Sequence, residues 1–340
     1  MTHKRETQAL HEGYRSDPST GAVAVPIYQT TSYQFENTEH AARLFELSEL
    51  GNIYTRIMNP TNDVLEKRLS AMEGGVAALA VASGQAASLY SIQNIARAGD
   101  NFVCSSHIYG GTYNLFKNTF RDMGIEARFV DPKDPENFRK ATDDNTRAYY
   151  AETFPNPSFE VFPISEVANI GEQLGVPLIM DNTAAPILCR PFDHGAAITM
   201  YSTTKYLGGH GTSIGGIIID GGSFDWEKHQ KRFPMLTEPD SGYHGAVWLE
   251  AAKPLGPIAY ILKARVTLLR DAGAAMSPFN AFLFLQGIET VTLRMERHCE
   301  NALAVASYLS SHPKVSRVIH PSVQEGETKR RADAYMGGKY

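Results

Sequence analysis

From Asp63 onward the chain alternates between two hydrophobic periods, and the alternation predicts its architecture. In DVLEKRLSAMEGG (63–75), apolar residues at 64, 65, 69 and 72 form one helix face, and Gly74 and Gly75 stop it. VAALAVA (76–82) is a short apolar run of strand length. SGQAAS (83–88) turns directly into a second helical stretch ending near Arg97. The pattern then repeats. NFVCSS (101–106), IEARFV (125–130), RAYYAE (147–152), VPLIMDNT (176–183), AAITMYS (196–202) and SIGGIIID (213–220) read as strands. TYNLFKNTFRDM (112–123) and ISEVANIGEQLG (164–175) read as helices, the second closed by Gly175. Strands separated by helices predict a mostly parallel sheet covered on both faces.

The two ends read differently. Residues 1–60 are rich in turn formers and aromatics but weakly periodic, as expected of an N-terminal arm that packs on another surface. Within it PIYQTTSYQF (26–35) alternates weakly, and NIYTRIMNPTND (52–63) is irregular and broken by Pro60. In an extended segment Tyr54 and Arg56, two apart, point to the same side. Residues 61–242 carry the strand–helix alternation. From 243 the pattern is helical, with long stretches at 257–272 and 279–311 broken near Ser277–Pro278, and VSRVIH (315–320) reads as a strand. This last part reads as the start of an α+β domain, incomplete at Tyr340.

Composition narrows the class. Across 340 residues, 43% are apolar and 20% charged, ordinary values for a globular protein. A net charge of −5 gives no electrostatic footprint for nucleic acid. The densest basic cluster, Lys329–Arg331, reads as a solvated face. No apolar run is long enough to span a membrane, and MTHKRETQALHEG lacks the apolar core of a signal peptide. The three cysteines, 104, 189 and 299, have no metal-ligand spacing; no metal is expected, and their number argues against a disulfide frame. The expectation is a cytoplasmic protein.

The chemistry gathers where strands end. YSTTKYLGGHGTSIGG (201–216) places Lys205 just after an apolar run, between hydroxyl residues and a glycine-rich turn. Taken singly, such a lysine is a solvated strand end. A buried ammonium, however, must be paired or neutralised, and forming a Schiff base with an aldehyde is one way. Asp181 ends another apolar strand, and an acid there requires a positive partner. A pyridinium nitrogen is one, and the aspartate keeps such a ring an effective electron sink. Ser83, Tyr109, Asn156, Asp181 and Lys205 all follow predicted strands closely, the edge where ligands sit in such sheets. Tyr109 suits ring stacking and acid–base work, and Asn156 suits a phenolic oxygen. Gly84 and Gln85 open a helix whose free N–H groups suit a phosphate, joined by Ser202, Thr204 and Arg56. No G-x-G-x-x-G follows the first strand, which argues against a nicotinamide enzyme.

Taken together, YTR (54–56), SGQ (83–85), IYGGTY (108–113), MDNT (180–183) and STTKYLGGHG (202–211) make the chain, from about residue 5 to its end, resemble the pyridoxal-phosphate-dependent Cys/Met metabolism enzymes. The resemblance implies an α/β large domain of the aspartate-aminotransferase type, followed by the smaller C-terminal domain. It implies pyridoxal 5′-phosphate as cofactor, with Lys205 as Schiff-base lysine, Asp181 on the pyridine nitrogen, Tyr109 stacked on the ring and Asn156 on the ring oxygen. Gly84, Gln85, Ser202 and Thr204 would cradle the phosphate. Tyr54 and Arg56 would reach the neighbouring subunit's site, implying a homotetramer built from dimers with shared active sites. Lys205, Tyr109 and Tyr54 would be the catalytic groups. GHGTSIGG, SPFNAFLFLQGIETVTLRM (277–295) and Gly111 resemble the branch that converts O-acetyl-L-homoserine and sulfide, or methanethiol, to homocysteine, or methionine, and acetate. Alternatives are another trans-sulfuration reaction or a cofactor-binding chain without turnover. Arg317, Arg330 and Arg331 do not match the motif of the family's substrate-carboxylate arginine, which is expected beyond Tyr340.

Overall fold

Seven strands form a single sheet in the computed structural model, which describes residues 3–340. Two short helices, α1 (Arg5–His11) and α2 (Thr38–Phe45), lie in the N-terminal arm. Then follow α3 (Pro60–Glu73), β1 (Ala77–Val81), α4 (Gly84–Gln93), β2 (Asn101–Ser105), α5 (Gly110–Asn114), β3 (Glu126–Val130), α6 (Glu136–Lys140) and β4 (Thr146–Glu152). Next come α7 (Ile164–Leu174), β5 (Leu178–Asp181), β6 (Ile198–Ser202) and β7 (Gly216–Asp220). Helices α8 (Pro234–Thr237), α9 (Trp248–Ala252), α10 (Ala259–Ala264), α11 (Arg270–Ala272), α12 (Pro278–Glu289), α13 (Val291–Ser310) and α14 (Gly326–Met336) complete the chain.

The sheet order is β1-β7-β6-β5-β4-β2-β3. β2 through β6 are parallel, and β7 runs antiparallel between β6 and β1. The carboxyl ends of β1, β2, β4, β5 and β6 therefore share one edge. The chain steps outward from β2 to β3 and the other way from β4 to β5, so the order reverses between β2 and β4. Crevices at such a reversal are where α/β sheets take ligands.

Alternate residues of each strand enter different cores. Phe102, Cys104, Tyr150, Ile179 and Met200 pack with Tyr90, Phe116 and Trp248. Val103, Tyr149, Ala151, Leu178 and Met180 pack with Phe138 and α7 on the opposite face. Burial of both faces is why these strands read as unbroken apolar runs rather than alternating ones. By the same period of two, Glu152 follows Tyr150 and Asp181 follows Ile179 onto the α4 side.

Local signals explain the helix ends. The Asn59 side chain caps α3 at the Thr61 N–H, Pro60 takes the first turn, and Gly74 ends the helix at φ 79°. Three features depart from the sequence reading. VSRVIH (315–320) forms no strand, because no neighbouring strand is there to pair with it. The pattern at 279–311 is two helices meeting at Thr290. The basic cluster Lys329–Arg331 lies inside α14, where Arg331 is largely buried against Glu166 (3.1 Å) rather than solvated. Among the described residues, no helix is long and apolar enough to cross a membrane.

Candidate active site

The start of α4 meets the end of β6. Ser83 is extended and its hydroxyl accepts from the Ala86 N–H at 3.1 Å. Among the described residues the Gly84 and Gln85 N–H groups have no partner, so they and the helix dipole face outward as an anion cradle. Gly84 touches Ser202 directly: a β-carbon at 84 would come within 2.6 Å of Ser202 Cβ. Two predicted phosphate residues thus lie side by side. The Gln85 side chain turns to the Thr112 hydroxyl at 3.4 Å. The Thr204 hydroxyl is engaged with Gly215, donating to its carbonyl at 3.2 Å and accepting from its N–H at 3.1 Å. That proton is therefore already committed.

Asp181 ends β5, beside Glu152 of β4 and Met200 of β6. Its Oδ1 accepts from the Thr183 N–H at 2.9 Å. Burial holds this carboxyl above its ordinary value. Among the described residues no cation pairs with it. A half-buried carboxylate lacking a positive partner fits a protonated pyridine nitrogen, which would supply that charge. The Tyr150 and Ser88 hydroxyls are 3.0 Å apart, and Ser88 bonds the Gly84 carbonyl at 3.2 Å. Hydrogen bonds thus join Tyr150 to the phosphate cradle. The Thr183 hydroxyl accepts from the Ser202 N–H at 2.8 Å, tying MDNT to the end of β6.

Lys205 departs from the expectation of a buried ammonium. It is exposed, in a turn just beyond β6, and among the described residues its amine forms no ion pair. The turn is firmly held: the Gly209 N–H bonds the Lys205 carbonyl at 2.8 Å, and Gly209 and Gly211 have φ of 74° and 68°. From α13, Arg294 donates to the Tyr206 carbonyl at 2.6 Å and the Gly287 carbonyl at 2.6 Å. An amine free at a site edge and mounted on a fixed turn suits a covalent anchor better than a sealed ion pair would.

Tyr109, half exposed, follows β2, and its ring lies over Gly111, where a β-carbon would come within 2.5 Å of it. Asn156 is exposed in the loop after β4. Both backbones are fastened to Glu152, a residue the sequence reading did not single out. Yet RAYYAE carries the same signal as VPLIMD, an acid ending an apolar strand. Tyr54 forms an antiparallel bridge with Ser32, and Arg56 lies in the turn that follows, where the Ile57 and Met58 N–H groups bond the Tyr54 carbonyl. The Arg56 guanidinium lies 5.0 Å over the Tyr54 ring. Among the described residues no hydrogen bond or ion pair joins this pair to Lys205 or Asp181. Arg330 and Arg331 are engaged by Glu166 and Glu327.

Known proteins carry this same arrangement of chain. The chain is 56% identical over 338 residues to the O-acetyl-L-homoserine sulfhydrylase of Leptospira meyeri, covering 98% of this chain and 76% of that one. It is 48% identical over 337 residues to the homocysteine synthase of Schizosaccharomyces pombe, covering 98% and 78%. Its fold matches a Campylobacter jejuni crystal structure assigned as an O-acetylhomoserine (thiol)-lyase with a TM-score of 0.95 and 39% identity, covering 99% and 83%. That structure carries N′-pyridoxyl-lysine-5′-monophosphate at its own position 205. Residues 6–339 match the family model for Cys/Met metabolism PLP-dependent enzymes. The chain belongs to that family of pyridoxal-phosphate-dependent enzymes.

Proposed function

We propose that the chain catalyses γ-replacement: O-acetyl-L-homoserine and sulfide give L-homocysteine and acetate, with methanethiol as an alternative thiol giving methionine. The observation that carries the site assignment is the meeting of Gly84 with Ser202 beside a cation-free Asp181 at one sheet edge. Relatives named for O-acetylhomoserine sulfhydrylase and homocysteine synthase support the substrate pair.

Pyridoxal phosphate, when bound, supplies an electron sink that acidifies the Cα–H and Cβ–H bonds of an amino acid. The chain's residues do the rest. Gly84 and Gln85 N–H groups and the Ser202 hydroxyl hold the phosphate. Thr204 joins them by direct contact or by fixing Gly215. Asp181 keeps the ring nitrogen protonated, and the Thr183 N–H orients Asp181. Tyr109 covers the ring face, and Asn156 holds its oxygen. Lys205 anchors the cofactor and, once freed by the substrate amine, takes the Cα proton. Tyr109 gives a proton to the departing acetate oxygen, assisted by Tyr54 of a second subunit. That role requires association, and the assembly proposed is a homotetramer of site-sharing dimers in the cytoplasm. The test is a product assay on O-acetyl-L-homoserine with and without sulfide. Acetate and homocysteine formed together, and only with sulfide, support γ-replacement. Ammonia and a keto acid formed without sulfide overturn it in favour of γ-elimination. Cofactor uptake with no acetate release means a binding chain.

A further inference from the structure

Beside Asp181, β4 ends on a second acid whose role the reaction above leaves open. Glu152 is 6% exposed and stands opposite Asp181 in the strand register. Among the described residues no lysine, arginine or histidine pairs with it. A carboxyl held there without a cation must be satisfied in some other way. It is satisfied by two backbone N–H groups. Tyr109 donates to Oε1 at 2.6 Å, and Asn156 donates to Oε2 at 3.4 Å.

These donors belong to different loops. One follows β2 and the other follows β4, across the point where the strand order reverses. Neither side chain is packed in a core: Tyr109 is half exposed and Asn156 is exposed. Contacts to neighbouring side chains therefore do little to fix them, and their main chains must be held. We infer that Glu152 is a positioning residue, its two oxygens clamping the Tyr109 and Asn156 loops so that the stacking ring and the ring-oxygen amide are set as one unit. This rests on the cofactor placement proposed above. Burial first, and the neighbouring Asp181 second, push the Glu152 carboxyl up to about 8. A carboxyl keeps acceptor lone pairs on both oxygens whether or not it is protonated, so the two N–H bonds stand in either state.

The full chain is tested as wild type, Glu152→Gln and Glu152→Ala, each titrated with pyridoxal phosphate. Three quantities are read: the dissociation constant, the visible circular dichroism per bound cofactor, and the melting temperature without cofactor. Glu152→Ala is expected to weaken binding about tenfold, the size of one or two lost hydrogen bonds. Its visible dichroism per bound cofactor falls, because the ring is no longer held at one angle to Tyr109. Glu152→Gln, of nearly the same volume, keeps one acceptor but presents an NH2 to the second N–H, so it falls between. Should the alanine variant not fold, the glutamine variant decides alone. A lower melting temperature with wild-type affinity and wild-type dichroism in every variant that folds overturns the inference and leaves Glu152 a residue of the fold. A wild-type chain that takes up no cofactor overturns both this inference and the functional reading. A normal wild-type signal with unaffected variants overturns this inference alone.

Discussion

Replacing Gly84 by alanine puts two opposing effects on one atom. In a helix, alanine is ordinarily better than glycine by about 0.5–1 kcal/mol. Here the added β-carbon would lie 2.6 Å from Ser202 Cβ and 2.9 Å from Ser202 Cα. Carbon atoms rest at about 3.5–4.0 Å, so the gap must open by roughly 1 Å. Ser202 Cα is main chain and no rotamer relieves it, so either the start of α4 or the end of β6 must move. Overpacking of this kind costs about 1–3 kcal/mol. The clash therefore wins, with a net loss of about 1–2 kcal/mol. The same shift moves the Gly84 and Gln85 N–H groups away from the Ser202 hydroxyl. Affinity for pyridoxal phosphate is expected to fall about tenfold, the equivalent of about 1.4 kcal/mol. Urea unfolding without cofactor measures the first quantity, and an absorbance titration measures the second. An unchanged or raised unfolding midpoint together with wild-type affinity would refute the shared cradle.

Other expectations follow from the same geometry. Burial raises the carboxyls of Glu152 to about 8 and of Glu73 and Asp220 to about 7, from ordinary values of 4.5 and 3.8. The folded chain then holds protons that the unfolded chain releases, so the contribution of these three groups to stability is full at low pH and drains away as pH rises through about 4 to 8. The urea midpoint of the cofactor-free chain should fall across that window, less steeply in Glu152→Gln; a midpoint that rises there contradicts the burial argument. If Tyr54 serves a second subunit, Lys205→Ala and Tyr54→Phe chains are each weak alone. Co-refolded in equal amounts, they should regain about a quarter of wild-type activity, because half the dimers are mixed and each has one intact site. No recovery on mixing argues for sites built within one chain. Arg294→Ala releases the Tyr206 and Gly287 carbonyls. It should cost about 1–3 kcal/mol in stability; an unchanged midpoint means the Lys205 turn holds itself.

The strand edge was legible because burial of both sheet faces leaves continuous apolar runs, and a polar residue ending such a run stands out. Asp181 was found this way. Glu152 has the same signal and was passed over, because a single acid at a strand end reads as a cap until its register with Asp181 is known. The exposure of Lys205 matches the solvated strand end that such a lysine reads as when taken singly; not legible was the pinning of its turn by Arg294, almost ninety residues away in sequence. The segment around Tyr54 and Arg56 reads as irregular, and the backbone bonds to the Tyr54 carbonyl that close a turn there have no signal in the sequence. The α14 helix has few apolar positions, so its charges masked it; ion pairs to Glu166 tie it down. VSRVIH is rich in β-branched residues, as a strand is, but propensity cannot supply a partner.

The most direct measurement is borohydride reduction of the chain loaded with pyridoxal phosphate, followed by peptide mass mapping. A yellow band that bleaches, with one pyridoxyl adduct on Lys205, is the predicted result. A chain that takes up no cofactor, or an adduct on another lysine, would contradict the site built from Lys205, Asp181 and the Gly84–Ser202 contact.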